Sequence, residues 1–185
     1  MKTFIHPKAC VETERLGEGT TVWAGVHILQ GAVIGKCCKF GENVYVESKV
    51  VLGNGVTVKN NVCLWEGLTV GNDVFIGPNV AFTNDVLPRA WKEFTEKDLC
   101  ATLVEEGASI GANATILCPL RIGKNALIAA GSVLTRDVNP HEKMLGNPAR
   151  HHGFVCRCGL KIQVDATGDA LCDCGYEMKG LIKGK

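Results

Sequence analysis

The sequence is poor in large rings: aromatic residues make up only 6% of its 185 positions. A core of stacked aromatics is therefore excluded, and Val, Ile, Leu and Ala must fill it. No long hydrophobic run is present. No window approaches the ~18 uninterrupted apolar residues of a membrane-spanning helix, and the opening MKTFIHPKAC has no apolar stretch of the kind a secretory signal needs. The expected location is the cytoplasm, where disulfides are rare. An excess of one charge is also lacking. Lys and Arg number 20 against 19 Asp and Glu, a formal net charge of +1, which argues against a general nucleic-acid binder. With 21% charged and 46% hydrophobic residues, the composition is not that of a disordered chain. The length allows one domain and a small appendage.

Glycine and cysteine are plentiful, 22 and 10 residues. Much of the glycine belongs to a repeat. Every sixth residue from Leu16 is apolar: Leu16, Val22, Ile28, Ile34, Phe40, Val46, Leu52, Val58, Leu64, Val70, Ile76 and Phe82. The position four residues later is small or apolar too, as in Val26, Ala32, Cys38, Val44 and Val50. Gly often follows the first position, as in Leu52-Gly53 and Val70-Gly71. A period of six fits neither a 3.6-residue helix nor simple strand alternation. It fits a short strand and a turn, repeated. Three hexads close a triangular coil of eighteen residues, with the first position inward and Gly or Asn at corners of positive φ. Stacked coils pair as parallel strands ~4.8 Å apart.

The phase breaks after Phe82 and resumes with Val104, Ile110, Ile116, Ile122, Ile128 and Leu134. A loop must leave the coil at about residues 83–103. It carries Pro88, Arg89, Trp91 and the charged run KEFTEKD. Loops of this length in compact domains are usually functional or disordered, and here the coil resumes intact, so the loop is expected to build part of a site. After Val138 the hexads stop. The tail reads VCRCG and LCDCG, placing Cys156, Cys158, Cys172 and Cys174 as two C-x-C pairs, each followed by Gly. Four thiolates suit a closed tetrahedral zinc site; free-thiol hairpins and disulfides are the alternatives. Cys38 falls at an inward position and is expected in the core.

The hexads resemble those of the left-handed β-helix superfamily, and the left hand is implied by that resemblance alone. The expected fold is all-β: a left-handed parallel β-helix of hexapeptide repeats over residues 1–150 with one extruded loop, then a small cysteine-rich, zinc-ribbon-like tail over 151–185. Three histidines on coil edges would be needed for a carbonic anhydrase of this architecture. The chain has His6, His27, His141, His151 and His152, and only His27 lies in the coils. The mid-coil histidine expected of a serine or galactoside acetyltransferase is likewise missing.

VKNNVCLWEGLTVGNDVFIGPNVAFTNDVLPR (58–89), TLVEEGASIGANATIL (102–117) and GNPAR (146–150) together resemble the N-acetyltransferases that acylate the 3-amino group of nucleotide-linked sugars for surface polysaccharides such as O-antigen. FIGPNVAFTND-x-x-PR is the most specific block. The resemblance implies a homotrimer using acetyl-CoA, on either a UDP-linked uronate or a dTDP-linked deoxyhexose, with a leaning to the former. It implies direct attack by the sugar amine, with Asn84 and Asp85 at the reacting centre. Lys59, Asn61, Trp65, Glu66 and Arg89 are candidates for the sugar nucleotide, and Asp85 could instead pair with Arg89. A slight departure is Lys59, where relatives often carry Gln before the paired asparagines. Ala129, Ala130, Gly131 and Ser132 are small enough for backbone amides to approach a pantetheine arm, and Arg136 and Arg150 could meet its phosphates. A non-catalytic β-helix scaffold and a 4-amino-sugar acetyltransferase are the rival readings.

Overall fold

A computed structural model of the chain describes residues 2–93, 95 and 97–181. Among them all regular structure is strand, mostly two residues long. The strands form three parallel faces wound around one core. The first face stacks Phe4–Ile5, Thr21–Val22, Lys39–Phe40, Thr57–Val58, Phe75–Ile76, Ser109–Ile110 and Leu127–Ile128. The second runs from Cys10–Val11 through His27–Ile28, Tyr45–Val46, Cys63–Leu64, Ala81–Phe82 and Thr115–Ile116 to Val133–Leu134. The third holds Val33–Ile34, Val51–Leu52, Leu68–Val70, Thr102–Val104 and Arg121–Ile122.

The register step is eighteen, as Thr21↔Lys39, His27↔Tyr45 and Val33↔Val51 show. Both inward positions of the hexad are buried, and they merge into a single core from Val22 to Ala149 that includes Cys38. The first coil is one residue short: Phe4 pairs with Thr21 and Cys10 with His27. Thr13 is buried there, and its hydroxyl donates to Ala32 O at 2.6 Å. The shortening lies ahead of Leu16, where the regular hexads begin.

Glycine serves two separate purposes. At the corners the third residue after the inward position has φ near +60°, as at Asn43 (59°), Gly55 (70°), Asn61 (61°) and Asp73 (54°). Cys37 (58°) and Lys49 (61°) take the same conformation, so the repeat imposes it even where the residue type resists it. Gly53, by contrast, follows inward Leu52 and is needed for space. A Cβ there would lie 2.8 Å from Asn72 N and 2.6 Å from its Oδ1.

The loop is an excursion at the corner between the second and third faces. Thr69 pairs with Val51 before it and with Leu103 after it, a step of 34 in place of 18. The coil resumes at Thr102, slightly earlier than the hexads alone indicated. The neck closes where Cys100 N donates to Asn84 O at 3.0 Å. At the far end Glu142–Gly146 adds to the first face, and Ala149–Val155 returns antiparallel to it and then pairs with Lys161–Ile162. That returning strand spans residues 150 and 151, so the tail is hydrogen-bonded directly into the helix sheet. The tail has its own small core of Cys156, Ala170, Cys172 and Met178.

Val74 is 1% exposed at a second inward position. Val74→Asp would bury a carboxylate with no partner, at a cost of several kcal/mol. Insoluble protein or loss of the cooperative melt is expected by circular dichroism, and a normal melting temperature would refute the inward register.

Candidate functional site

Stacking aligns equivalent residues of successive coils into columns, so the candidate residues fall on two corners. Lys59 and Asn61 occupy the corner between the first and second faces. Asn61 belongs to a ladder there, accepting from Asn43 Nδ2 at 3.2 Å and donating to Asn79 Oδ1 at 3.1 Å. Ala129, Ala130 and Gly131 sit further along the same corner, with Gly131 at φ 69°. Ser132 is fully buried, its Oγ accepting from Gly146 N at 3.2 Å. The preceding three residues are half-buried or exposed and present only backbone and small methyl groups there.

The other corner joins the second and third faces. Trp65 is half-buried and lies beside the Tyr45 ring, with centroids 5.7 Å apart. Glu66 pairs with Lys49 Nζ at 2.7 Å, and its amide donates to Glu47 Oε2 at 2.7 Å. Asn84 is one coil further on, where the loop departs. It is half-buried, and its Nδ2 donates to Glu66 O at 3.4 Å. Among the described residues the Asn84 Oδ1 and second amide hydrogen keep their capacity. Asp85 Oδ1 accepts from Leu87 N at 2.8 Å, and Arg89 donates to Pro88 O at 2.8 Å. The suggested Asp85–Arg89 ion pair is thus not formed among the described residues, because the local turn claims the carboxylate. Within the loop, Lys92 and Thr95 hold the Asp98 carboxyl down at about 2. Val86, Leu87 and Trp91 project outward, Trp91 being 84% exposed.

Arg136 follows Asn84 on this corner by two coils, but its guanidinium is already engaged. It donates to Glu142 Oε1 at 2.9 Å. Glu142 is 3% exposed and was not singled out by any motif. Burial alone would raise its pKa. The Asn139 amide (2.9 Å), the Arg136 guanidinium and His151 Nδ1 (3.0 Å) outweigh burial and hold the carboxyl below its usual range. Arg150 is exposed, with one contact to Ala149 O at 3.1 Å. His27, the coil histidine, lies several coils from Asn84 and contacts Glu12 Oε1 at 2.7 Å.

The tail cysteines converge. Cys156 Sγ and Cys174 Sγ are 3.6 Å apart, as are Cys158 Sγ and Cys172 Sγ, and all four sulfurs lie within 4.8 Å of one another. Four thiolates at ~2.3 Å from one tetrahedral ion would stand roughly 3.8 Å apart. The two turns match: Gly159 N donates to Cys156 O at 2.9 Å and Gly175 N to Cys172 O at 2.8 Å, with both glycines at positive φ. No disulfide links the cysteines. The Tyr176 amide and the neighbouring thiols lower Cys174 to about 7. Cys172 accepts from the Cys174 amide, but burial and the other three thiols outweigh it and push Cys172 up to about 12. The donor set therefore fits a soft divalent ion that can displace the thiol protons.

The family described as bacterial transferase hexapeptide (six repeats) matches residues 15–48 and 101–136. The dTDP-3-amino-3,6-dideoxy-alpha-D-galactopyranose 3-N-acetyltransferase of Aneurinibacillus thermoaerophilus is 48% identical over 176 residues, covering 95% of this chain and 90% of that protein. A serine acetyltransferase of Arabidopsis thaliana is 46% identical over 52 residues, 28% of this chain and 15% of that one. Among solved structures, the acetyltransferase domain of PglB from Neisseria gonorrhoeae in complex with acetyl coenzyme A covers 81% of the chain at 18% identity and TM-score 0.49. PerB from Caulobacter crescentus with CoA and GDP-perosamine covers 83% at 22% identity and TM-score 0.40. The chain spans 57% and 58% of those two proteins.

The Glu142 cluster sets a stability test. Glu142→Ala removes the buried acceptor shared by Asn139, Arg136 and His151; since the Arg136 side chain is 44% exposed and can be solvated, the change should cost about 1–3 kcal/mol in urea unfolding. A depressed carboxylate stabilises above its unfolded value of 4.5, and the contribution fades as pH falls through the lower folded value. Wild type should lose stability over that range faster than Glu142→Gln; parallel losses would show that the cluster contributes nothing.

Proposed function

Because the chain belongs to the hexapeptide-repeat transferases, with a sugar 3-N-acetyltransferase as a relative across almost its whole length, we propose that it acetylates the 3-amino group of a nucleotide-linked amino sugar from acetyl-CoA. The observation that carries this is 48% identity over 95% of the chain. The same relative favours a dTDP-linked deoxyhexose over the UDP-linked uronate toward which the sequence motifs leaned. An acetamido sugar of this kind serves surface polysaccharide synthesis, and the reading places the enzyme in the cytoplasm.

The neutral sugar amine attacks the thioester carbonyl carbon. The C–S bond then breaks, an amide forms, and the proton lost by nitrogen ends on the CoA sulfur. A sugar amine needs no strong protein base, so positioning and oxyanion stabilisation carry the catalysis. Asn84 supplies an amide able both to accept from the amine and to donate to the oxyanion. Asp85 orients the sugar from the same turn, with Trp65, Glu66 and Arg89 around it. The turn at Ala129-Ala130-Gly131 accommodates the pantetheine arm, with Ser132 fixing that turn from inside. Arg150 is the freer cation for the CoA phosphates, since Arg136 shares its guanidinium with Glu142. These residues occupy two corners of one chain, and the loop presents Val86, Leu87 and Trp91 outward. Both observations support a homotrimer in which neighbouring copies complete each site. Cys156, Cys158, Cys172 and Cys174 hold one zinc, which supplies a structural crosslink to the tail.

Three measurements test this reading. Acetyl transfer onto a panel of dTDP- and UDP-linked 3-amino sugars, read by mass, should give product with a dTDP sugar; no product with any member overturns the proposal. Asn84→Ala should lower kcat roughly ten- to a thousandfold, the value of one transition-state hydrogen bond, with CoA binding retained. Asn84→Asp should also be slow, because a carboxylate cannot donate. The rate should rise with pH as the substrate amine loses its proton, and His27→Ala should keep that limb. A dead His27→Ala beside an active Asn84→Ala would replace direct attack with a histidine base. Elemental analysis should find one zinc per chain, lost in Cys156→Ser/Cys158→Ser with the β-helix still folded and lost from wild type as acid reprotonates the thiolates. Metal-free wild-type protein, purified without chelators, would refute the zinc assignment.

A further inference from the structure

A cluster of metal-ligating side chains lies outside both the Asn84 corner and the tail. It sits on the second face, at the edge where the solenoid begins. Cys10–Val11 is the outermost strand of that face, and Cys10 pairs with His27 of the next coil. Val11 packs against the core, so the residues on either side of it, Cys10 and Glu12, both point outward. His27 precedes the fully buried Ile28 and faces outward too. Tyr45 follows His27 on the coil beyond. Its ring meets the imidazole edge-on, with centroids 5.8 Å apart and planes at 82°, and backs it on the side away from Cys10. No motif marks these residues, because they belong to two different coils.

Three donor atoms of different kinds converge there. His27 Nε2 lies 2.7 Å from Glu12 Oε1, and Cys10 Sγ lies 3.9 Å from the same oxygen. All three donor atoms fall within 4.8 Å of one another. Around one tetrahedral zinc ion a thiolate, an imidazole and a carboxylate would stand roughly 3.3–3.6 Å apart. The two contacts straddle that range. An ion would open the His27–Glu12 contact by roughly 0.6 Å and draw the sulfur in by less. Cys10 and Glu12 are exposed and His27 is half-buried, so their side chains can make that adjustment without disturbing the core. The His27 ring and the Gln30 amide hold the Glu12 carboxyl below its usual range, which keeps it charged at neutral pH. Sulfur, nitrogen and oxygen together make a borderline-soft donor set, suited to zinc over magnesium or calcium. We propose that Cys10, Glu12 and His27 form a second zinc-binding site, with three protein ligands and a fourth position open to water. The tail offers four thiols in a closed set. This site offers three ligands at the surface, so its ion exchanges readily and loads by titration. It lies several coils from Asn84 and does not depend on the acetyltransferase reading.

The test titrates Zn2+ into the full-length protein as purified, against a weak colorimetric zinc indicator. Wild type should take up one further ion per chain, saturably, and excess Mg2+ should not compete. Cys10→Ser, Glu12→Gln and His27→Ala should each weaken this uptake by at least the roughly ten- to hundredfold that loss of an outer partner of a metal ligand costs. Each variant should keep the wild-type circular dichroism spectrum and the zinc it carries on purification, which reports against misfolding. Co2+ added in place of Zn2+ should give a thiolate-to-cobalt absorption in the near ultraviolet, absent from Cys10→Ser. Cys156→Ser/Cys158→Ser should retain the further uptake, since its ligands lie at the other end of the solenoid. If wild type takes up no ion on titration, or if the three variants take it up as wild type does, the proposal falls. Uptake of half an ion per chain would place the ion between copies and would also overturn the site within one chain. If the purified protein is metal-free, the tail assignment falls alone, and uptake on titration that depends on Cys10 and His27 still supports this site.

Discussion

Everything in this structure depends on how closely one coil lies on the next at its corners. The chain must turn three times in eighteen residues, and each turn leaves one residue in the left-handed region of φ. Where glycine follows the inward apolar position there is almost no space: at Gly53 the next coil's amide stands where a Cβ would go. Most of the glycine in the chain answers one of these two demands. In return the outward side chains repeat at a fixed spacing, and residues eighteen apart in sequence become neighbours. Columns, not local motifs, are therefore what the solvent and any ligand meet.

This explains why the candidate residues collect where the repeat is interrupted or varied. The loop leaves at one corner between Asn84 and Thr102, so a chain that is otherwise uniform acquires there a half-buried amide beside a carboxylate. The column of Trp23, Gly41 and Lys59 varies without interruption. One position passes from indole to hydrogen to ammonium over three coils, and a notch of about 490 Å³ lies beside that column. In both cases the scaffold is rigid because its core is continuous, which is the condition for holding an amine and a thioester in attack geometry without a strong base.

Much of the fold was legible because the hexad demands a particular residue type at two positions in six. The inward rows, the core place of Cys38, the loop and the convergence of the tail cysteines could all be read from spacing. The shortened first coil could not, since Thr13 fills an inward position through a hydroxyl bond to Ala32 that no apolar pattern marks. Nor could the corner conformation of Cys37 and Lys49, whose side chains do not favour it. Neighbours along the chain, such as Asn84 and Asp85 at the loop neck, could be placed together from the sequence. The site was illegible where partners meet across coils. Glu142 is a carboxylate in an ordinary surface-like stretch, and only the turn of residues 139–142 over the end of the core buries it and commits Arg136. Trp23 and Lys59 are 36 positions apart and become neighbours only through the register.

The tail raises a different question, because its size works against it. Its buried set is Cys156, Ala170, Cys172 and Met178, with a few partly buried neighbours. So small an apolar core cannot offset the ordering of some thirty residues, and segments of this length usually need a crosslink, a metal or a docking surface. The tail has the docking surface: its first strand pairs with Glu142–Gly146, the Val155 amide donates to His141 O at 2.8 Å and His141 Nδ1 lies 2.9 Å from Val155 O. Beyond Val155 the chain depends on itself, and two of its four buried residues are the cysteines that converge. Under the zinc reading the metal replaces the missing apolar area, and the Tyr176 ring beside it lies 6.0 Å from His141 and beneath Arg157 at 4.3 Å. The knuckle thereby seats against the end of the last coil at His141. The edge of the first face, which would otherwise be unpaired, is covered by Glu142–Gly146 and Ala149–Val155, and under the zinc reading the metal holds the rest of the tail against that cover.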